Sequence, residues 1–346
     1  MDSHYIGSWM KIKKFIFILL FIGCGSGPDI KRVSISVGDS DIPFVWVPGG
    51  SFEMGSNSAM AREDERPVHI VNIDGFWMAE TPVTNNQFSA FVNETGHKTT
   101  AEVAPTLEEI MSQVPPGTPP PPNEMLIPGS LTFINHPTPV NPNSAVRWWR
   151  WSLNSDWRRP YGEESSIEGL DNHPVVQISW FDALAFAEWA GMSMPTEAQW
   201  EYAAKKGEVT NRLEMNIWQG VFPVNNSKSD GFEKTNPVYA YKPNKIGLYD
   251  MSGNVWEWVA DWYRPDTYSM EGRDKNPTGP FSSFDPVEPT IPKRVTRGGS
   301  YLCNVQYCAG YRPSARMRTS PDTSLEHTGF RVVMSEKQMK KYLDNY

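Results

Sequence analysis

The chain has 346 residues, of which 39% are hydrophobic and 21% charged, and its net charge is -8. This composition excludes a disordered chain, and the acidic balance sets aside a general nucleic-acid binder, which needs cations to meet phosphates. Cys24, Cys303 and Cys308 are the only cysteines, too few for a small scaffold stapled by disulfides.

The heavy use of Trp (14) and Pro (30) predicts a loop-rich fold whose rings fill gaps between irregular segments. At the N-terminus, Met10-Lys11-Ile12-Lys13-Lys14 is basic, Phe15 to Ile22 is apolar, and Gly23-Cys24 follows. That order predicts an export signal over residues 1–23. Its apolar run is too short to span a bilayer. Residues before Met10 include Asp2 and no basic charge, which makes Met10 the expected start. Leu20-Phe21-Ile22-Gly23-Cys24 resembles a lipobox, although Phe21 is larger than the usual residue there. The expectation is an exported protein, lipid-anchored to a bacterial membrane through Cys24, with residues 24–42 as tether. The alternative is a plain cleaved signal with Cys24 incidental.

Residues 43–336 read as a single domain, and residues 337–346 as a C-terminal tail. Phe44 to Gly50 predicts a strand and turn, and Ile70 to Trp77 a second strand. Thr84-Asn85-Asn86-Gln87 is a capping-box pattern, followed at helical spacing by Phe88, Phe91 and Val92 as far as Gly96. Phe181, Leu184, Ala185 and Trp189 predict another helical apolar face closed by Gly191. Thr196-Glu197-Ala198-Gln199 opens a third helix, with Lys205 and Lys206 where the helix dipole favours positive charge. Residues 97–172 lack periodicity and include a proline-rich run at 115–122. Trp148, Trp149, Trp151 and Trp157 alternate there with Arg147, Arg150, Arg158 and Arg159. They read either as core tryptophans with capping arginines or as a peptide-binding surface.

Cys303 and Cys308 lie five residues apart, so they meet only if the backbone between them turns. In an oxidising compartment, spacing alone favours a structural disulfide. As thiolates they would be soft ligands for Cu(I) or zinc. Zinc wants more ligands than are near, since His327, the closest histidine, is far along the chain. Two-coordinate Cu(I) would leave an open side for a substrate thiol.

Arg297-Gly298-Gly299-Ser300-Tyr301-Leu302-Cys303 through Cys308, with Tyr311-Arg312, Ala315-Arg316, Pro321-Asp322 and Gly329-Phe330-Arg331, resembles the formylglycine-generating enzymes of the sulfatase-modifying factor family. So do Trp46 to Gly55, Pro195 to Ala204 and Gly247 to Trp258, which occur across the wider superfamily and speak to fold. The resemblance implies an α+β, loop-rich fold of that family, related to C-type lectins. It implies a copper-dependent oxidase that uses O2 to convert the cysteine of a Cys-x-Pro-x-Arg motif in sulfatases to formylglycine. Cys303 and Cys308 fall on the Cu(I) ligands, Ser300 and Tyr307 on pocket residues, and Trp256 would shape the same pocket. An external thiol reductant is implied, because both thiols must be reduced. Asn154 to Pro160 departs from the family pattern, which bears on substrate binding.

The resemblance also implies two structural Ca²⁺ ions. One would use Asn216, Asp230 and the carbonyls of Ile217 and Phe232; the other would use Asp250, Glu257 and the carbonyls of Gly253 and Val255. Oxygen-rich turns suit Ca²⁺. Two rivals are a noncatalytic scaffold lipoprotein of the same superfamily and an iron-dependent sulfoxide synthase. The second requires a histidine iron site for which the six histidines show no spacing.

Overall fold

The computed structural model describes residues 30–112, 114, 117–136, 138, 148–207, 214–305 and 307–344. The expected export signal, Cys24, Arg147 and part of the proline-rich run lie outside the described residues. Strands and helices follow in the order β1 (Arg32–Val37), β2 (Ser40–Val47), β3 (Gly50–Met54), β4 (His69–Ile73), β5 (Phe76–Ala79), α1 (Asn85–Thr95), α2 (Leu107–Ser112), β6 (Gly129–Phe133), β7 (Trp149–Leu153), α3 (Trp180–Trp189), α4 (Glu197–Lys205), β8 (Gly220–Val221), β9 (Asn225–Asn226), β10 (Trp256–Trp262), β11 (Arg294–Arg297), β12 (Arg316–Thr319), β13 (Thr328–Phe330), β14 (Val333–Ser335) and α5 (Glu336–Asp344). Short strands, few helices and long ordered loops make this an α+β fold of the expected kind.

Two four-stranded sheets organise it, in the orders β1-β2-β5-β14 and β12-β11-β10-β13. The first begins earlier than expected. Residues 32–42 are not tether, because Ile35, Val37 and Ile42 are buried and β1 pairs antiparallel with β2 from Arg32↔Val45 to Val37↔Ser40. Likewise the C-terminal residues are not a loose tail: α5 buries Met339 against the main core. The strand expected over Ile70 to Trp77 is two, β4 and β5, interrupted at Asp74-Gly75.

Helix starts follow their caps. Thr84, Ser179 and Thr196 each accept from the N3 amide, and the N3 side chain reaches back in a capping box. Such a cap is worth about 1 kcal/mol. α1 ends at Gly96 in the left-handed region, φ 69°, which glycine adopts without a Cβ penalty. It buries Phe88 and Phe91 against Phe186 and Trp189 of α3, each fully buried ring contributing roughly 1.5–3 kcal/mol. Phe181 departs from its expected place on the apolar face: it is 51% exposed, because α3 turns Trp180, Ala183, Phe186 and Ala187 inward instead.

The aperiodic stretch holds an unexpected ribbon, β6 paired antiparallel with β7 from Gly129↔Leu153 to Phe133↔Trp149. No tight turn links the strands, so no hairpin signal marks them. Trp148 and Trp157 are buried core residues, and Arg158 lies 4.2 Å over the Trp157 ring, as the core reading of this cluster has it; Trp149 and Trp151 are half-buried.

Candidate functional site

The connection between β11 and β12, residues 298–315, carries the cysteine pair. Both of its ends are pinned to α4. Arg297 meets Glu197 at 2.8 Å and Glu201 at 2.6 Å, and Arg316 meets Glu197 at 2.6 Å, all fully buried. Burial pushes the Glu201 carboxyl up, but Arg297 and Lys205 outweigh it and hold it below the usual range. Gly298 and Gly299, at φ 91° and 71°, turn the chain out of β11; a Cβ on Gly299 would press on the backbone nitrogen of Tyr311.

Within the connection, Asn304 Oδ1 accepts the Tyr307 amide at 2.9 Å, and its carbonyl accepts the Cys308 amide at 3.2 Å and the Ala309 amide at 2.8 Å. This turn brings Cys303 and Cys308 together with Cα atoms 5.4 Å apart, joined as a disulfide. Both are buried in an apolar cluster with Met215, Ile217, Trp256 and Tyr311. Gly310 completes the wall: a Cβ there would run into the Trp256 ring and lie 3.2 Å from Cys303 Sγ. Trp256 opens β10, and its amide donates to the His327 carbonyl at 2.8 Å. His327, distant in sequence, therefore flanks the site, with burial depressing its imidazole to about 3. Ser300 is fully buried; its carbonyl accepts the Cys303 amide at 2.9 Å, and its Oγ accepts the Leu302 amide at 3.3 Å. Tyr307 stacks on Phe222 at 4.3 Å and meets Trp148 edge-on at 5.3 Å. Two contacts escaped sequence reading: Arg62 donates to the Cys308 carbonyl at 3.0 Å, and the Trp218 amide donates to that of Cys303 at 3.0 Å. Neither leaves a local pattern.

The oxygen-bearing turns adjoin this loop. The Asn254 amide donates to the Asn216 carbonyl and the Gly253 amide to that of Gly298, each at 2.8 Å. A Cβ on Gly253, φ 86°, would collide with the Asn216 carbonyl. Asp230 Oδ2 and Asp250 Oδ2 are buried without a hydrogen-bond partner. Burial raises both carboxyls, Asp250 to about 6. Asp230 Oδ1 accepts the Phe232 amide at 3.1 Å, and Ile217 faces the cysteine cluster. Val255 is buried beside Gly253. Glu257 is engaged elsewhere, accepting from Arg331 at 2.6 Å on each oxygen and from Trp200 Nε1 at 2.7 Å. Among the described residues no three His, Cys, Asp or Glu side chains form a metal cluster, so a cation here would draw part of its ligands from carbonyls.

Fold and site together define a sulfatase-modifying type of domain. The family model of the sulfatase-modifying factor enzyme 1-like domain matches residues 39–336, and the chain belongs to that family. It is 41% identical over 305 residues to a formylglycine-generating enzyme of Thermomonospora curvata, covering 84% of this chain and 92% of that one. It is also 34% identical over 320 residues to a murine protein described as inactive C-alpha-formylglycine-generating enzyme 2, covering 88% of this chain and 89% of the other. Among solved structures, PvdO from Pseudomonas aeruginosa superposes with a TM-score of 0.59 at 20% identity, over 88% of this chain and 98% of that one; this likeness concerns the fold.

Proposed function

We propose that the chain is a copper-dependent oxidase that converts the cysteine of a Cys-x-Pro-x-Arg motif in sulfatases to formylglycine. The observation that carries it is the pair of buried cysteines that a single turn brings side by side in an apolar cluster, joined here as a disulfide that an external thiol would open. Once reduced, two soft thiolates with no cluster of further His, Cys, Asp or Glu around them among the described residues would suit Cu(I) and leave a side open for the substrate sulfur. Bound there, Cu(I) would supply the one-electron chemistry that lets O2 react.

The protein's own part follows from its geometry. Cys303 and Cys308 would hold the ion once both are reduced, which requires an external thiol. Trp256, Met215, Ile217 and Tyr311 exclude water from the reacting sulfur. Ser300 fixes the start of the turn through its hydrogen bonds to the Leu302 and Cys303 amides. Tyr307, held by Phe222 and Trp148, lines the approach. In the overall reaction the substrate CH2SH becomes CHO and its sulfur leaves as hydrogen sulfide, a loss of two electrons. O2 accepts four electrons; the remaining two come from the external thiol, which ends as its disulfide, and one oxygen atom leaves as water.

Calcium is proposed at the two oxygen-bearing turns, one served by Asn216, Ile217, Asp230 and Phe232, the other by Asp250, Gly253 and Val255; Glu257, which the resemblance adds to the second, is already occupied by Arg331 and Trp200 and does not fit as a ligand in this arrangement. The unpartnered oxygens of Asp230 and Asp250 fit a hard cation. The chain is further proposed to be exported and tethered through lipidated Cys24; a Cys24→Ser protein that stayed in the membrane fraction would refute the tether.

The test is mass spectrometry of a Cys-Thr-Pro-Ser-Arg peptide incubated with the protein, Cu(I), O2 and a thiol. The expected result is the mass change from CH2SH to CHO, absent in Cys303→Ala and Cys308→Ala. An unchanged peptide with copper verified as bound would favour the noncatalytic reading, to which the inactive murine relative lends support.

A further inference from the structure

A cavity of about 490 Å³ opens between residues 100–114, the β6–β7 ribbon, and residues 288–293 and 320–324. That volume lies in the range of sites that take peptide or small-molecule ligands. Its walls are largely apolar, with Val103 and Ile110 on one side and Leu131 and Ile291 on the other. α2 forms part of the first wall and buries none of its residues. Val103 is 54% exposed and Leu107 46%. A helix this short gains little from propensity alone, and contact with a ligand in the cavity would add to its stability.

Two of the lining residues, Trp151 and Ser324, each carry a polar atom left without a partner. These atoms, Trp151 Nε1 and Ser324 Oγ, are buried. Leaving such a group unpaired costs about 1–3 kcal/mol, which a carbonyl oxygen admitted by a small shift of the wall would recover. The rim carries Glu109, Glu288 and Asp322 against one cation, Lys293. Lys293 is already held by Glu288 at 2.8 Å and Ser320 Oγ at 2.9 Å. The groove is thus apolar inside, acidic at its edge and short of backbone-type acceptors.

The same ribbon leads from the groove toward the cysteine site. Leu131 pairs with Trp151 at the cavity, and two residues along the ribbon Phe133 pairs with Trp149. Those two rings pack on the aromatic cluster that includes Trp148 and Tyr307. At about 3.3 Å per residue, the step from groove to aromatic wall is about 7 Å, two residues of an extended chain.

We propose that this groove docks the polypeptide whose cysteine is oxidised, gripping an extended stretch outside the Cys-x-Pro-x-Arg motif. The inference rests on the proposed oxidation of a polypeptide cysteine. The favoured stretch carries apolar side chains and a basic residue, and its main-chain carbonyls accept from Trp151 and Ser324.

The experiment compares the pentapeptide Cys-Thr-Pro-Ser-Arg with two longer peptides, extended by alternating Leu and Lys on its N-terminal or its C-terminal side. Fluorescein-labelled copies with Ser in place of the motif cysteine report binding to the full chain by anisotropy, independently of turnover. One extended peptide is expected to bind about tenfold more tightly than the pentapeptide. Val103→Arg and Ile110→Arg should abolish that gain, and Trp151→Phe should reduce it, while pentapeptide oxidation stays at the wild-type rate. Equal binding of all three peptides, or a gain that survives both arginine variants, overturns the groove even if the pentapeptide is oxidised. Conversely, a gain lost in the variants while no peptide is oxidised would leave the groove standing and sink the oxidase reading. Thermal melts of each variant separate lost docking from lost folding.

Discussion

Arg312 grips Glu65 with both terminal nitrogens, Nη2 to Oε1 at 2.6 Å and Nη1 to Oε2 at 2.8 Å. The Glu65 side chain is fully buried and also accepts from Ser314 Oγ at 2.9 Å and the Arg62 amide at 3.1 Å. Burial works against its charge, but these partners win and hold its carboxyl below the usual range. The pair thus fastens the segment before β4 onto the loop just after Cys308.

Breaking that pair should loosen the cysteine loop as well as the fold. Removing one member of a buried pair costs about 3–5 kcal/mol. Arg312→Ala is therefore expected to lower stability by about that much in urea unfolding, and to slow peptide oxidation under conditions where the protein remains folded. A loss below about 1 kcal/mol would show that the pair is dispensable.

Gly310 has no room for a side chain between Trp256 and Cys303 Sγ. Gly310→Ala should push the ring and the sulfur apart and weaken Cu(I) binding at least about tenfold, read by competition with a chromophoric chelator. The overall fold should survive, because the displaced groups lie at the site and not in the main core. Unaltered copper affinity would show that the ring does not set the position of the sulfur.

Calcium removal should be visible without any assay of activity. A chelator should lower the melting temperature and added Ca²⁺ should restore it, each occupied site stabilising the fold by about 2.7 kcal/mol at one hundred times its dissociation constant. Asp250→Asn, which retains an oxygen but loses the charge, should blunt the response. A melting temperature indifferent to Ca²⁺ would dismiss both cation sites.

Asp261 sets a pH dependence. Burial, reinforced by the nearby Glu197 carboxylate, raises its carboxyl to about 7 from an ordinary value of 3.8. Its folded-state value exceeds the unfolded one, so the folded protein holds the extra proton. The contribution is fully present below about pH 4 and is lost as pH rises to about 7. Asp261→Asn, whose amide oxygen can still accept the Glu197 amide, should flatten that decline in a melting series from pH 4 to 8. An unchanged slope would assign the dependence to other groups.

Capping boxes at Thr84 and Thr196 were legible because a cap is local chemistry: a hydroxyl and a side chain three residues on satisfy free amides within one turn. The cysteine pair and the family motifs were legible for the same reason, since each is written in nearby residues. Several features could be decided only by tertiary contacts. The pairing of β6 with β7, the burial of residues 32–42 and the inward face of α3 depend on partners distant in the chain. So do the buried arginines: Arg297 and Arg316 look like surface charges in sequence, and only their approach to Glu197 and Glu201, about a hundred residues away, makes them fully buried anchors of the loop. The sequence by itself determined where α1 and α4 start and which side chains are candidates for the proposed chemistry. Tertiary structure decided which distant carboxylates pin the loop, which carboxyl oxygens are left unpartnered, and where a groove stays open, because burial and pairing are properties of the neighbours that folding supplies.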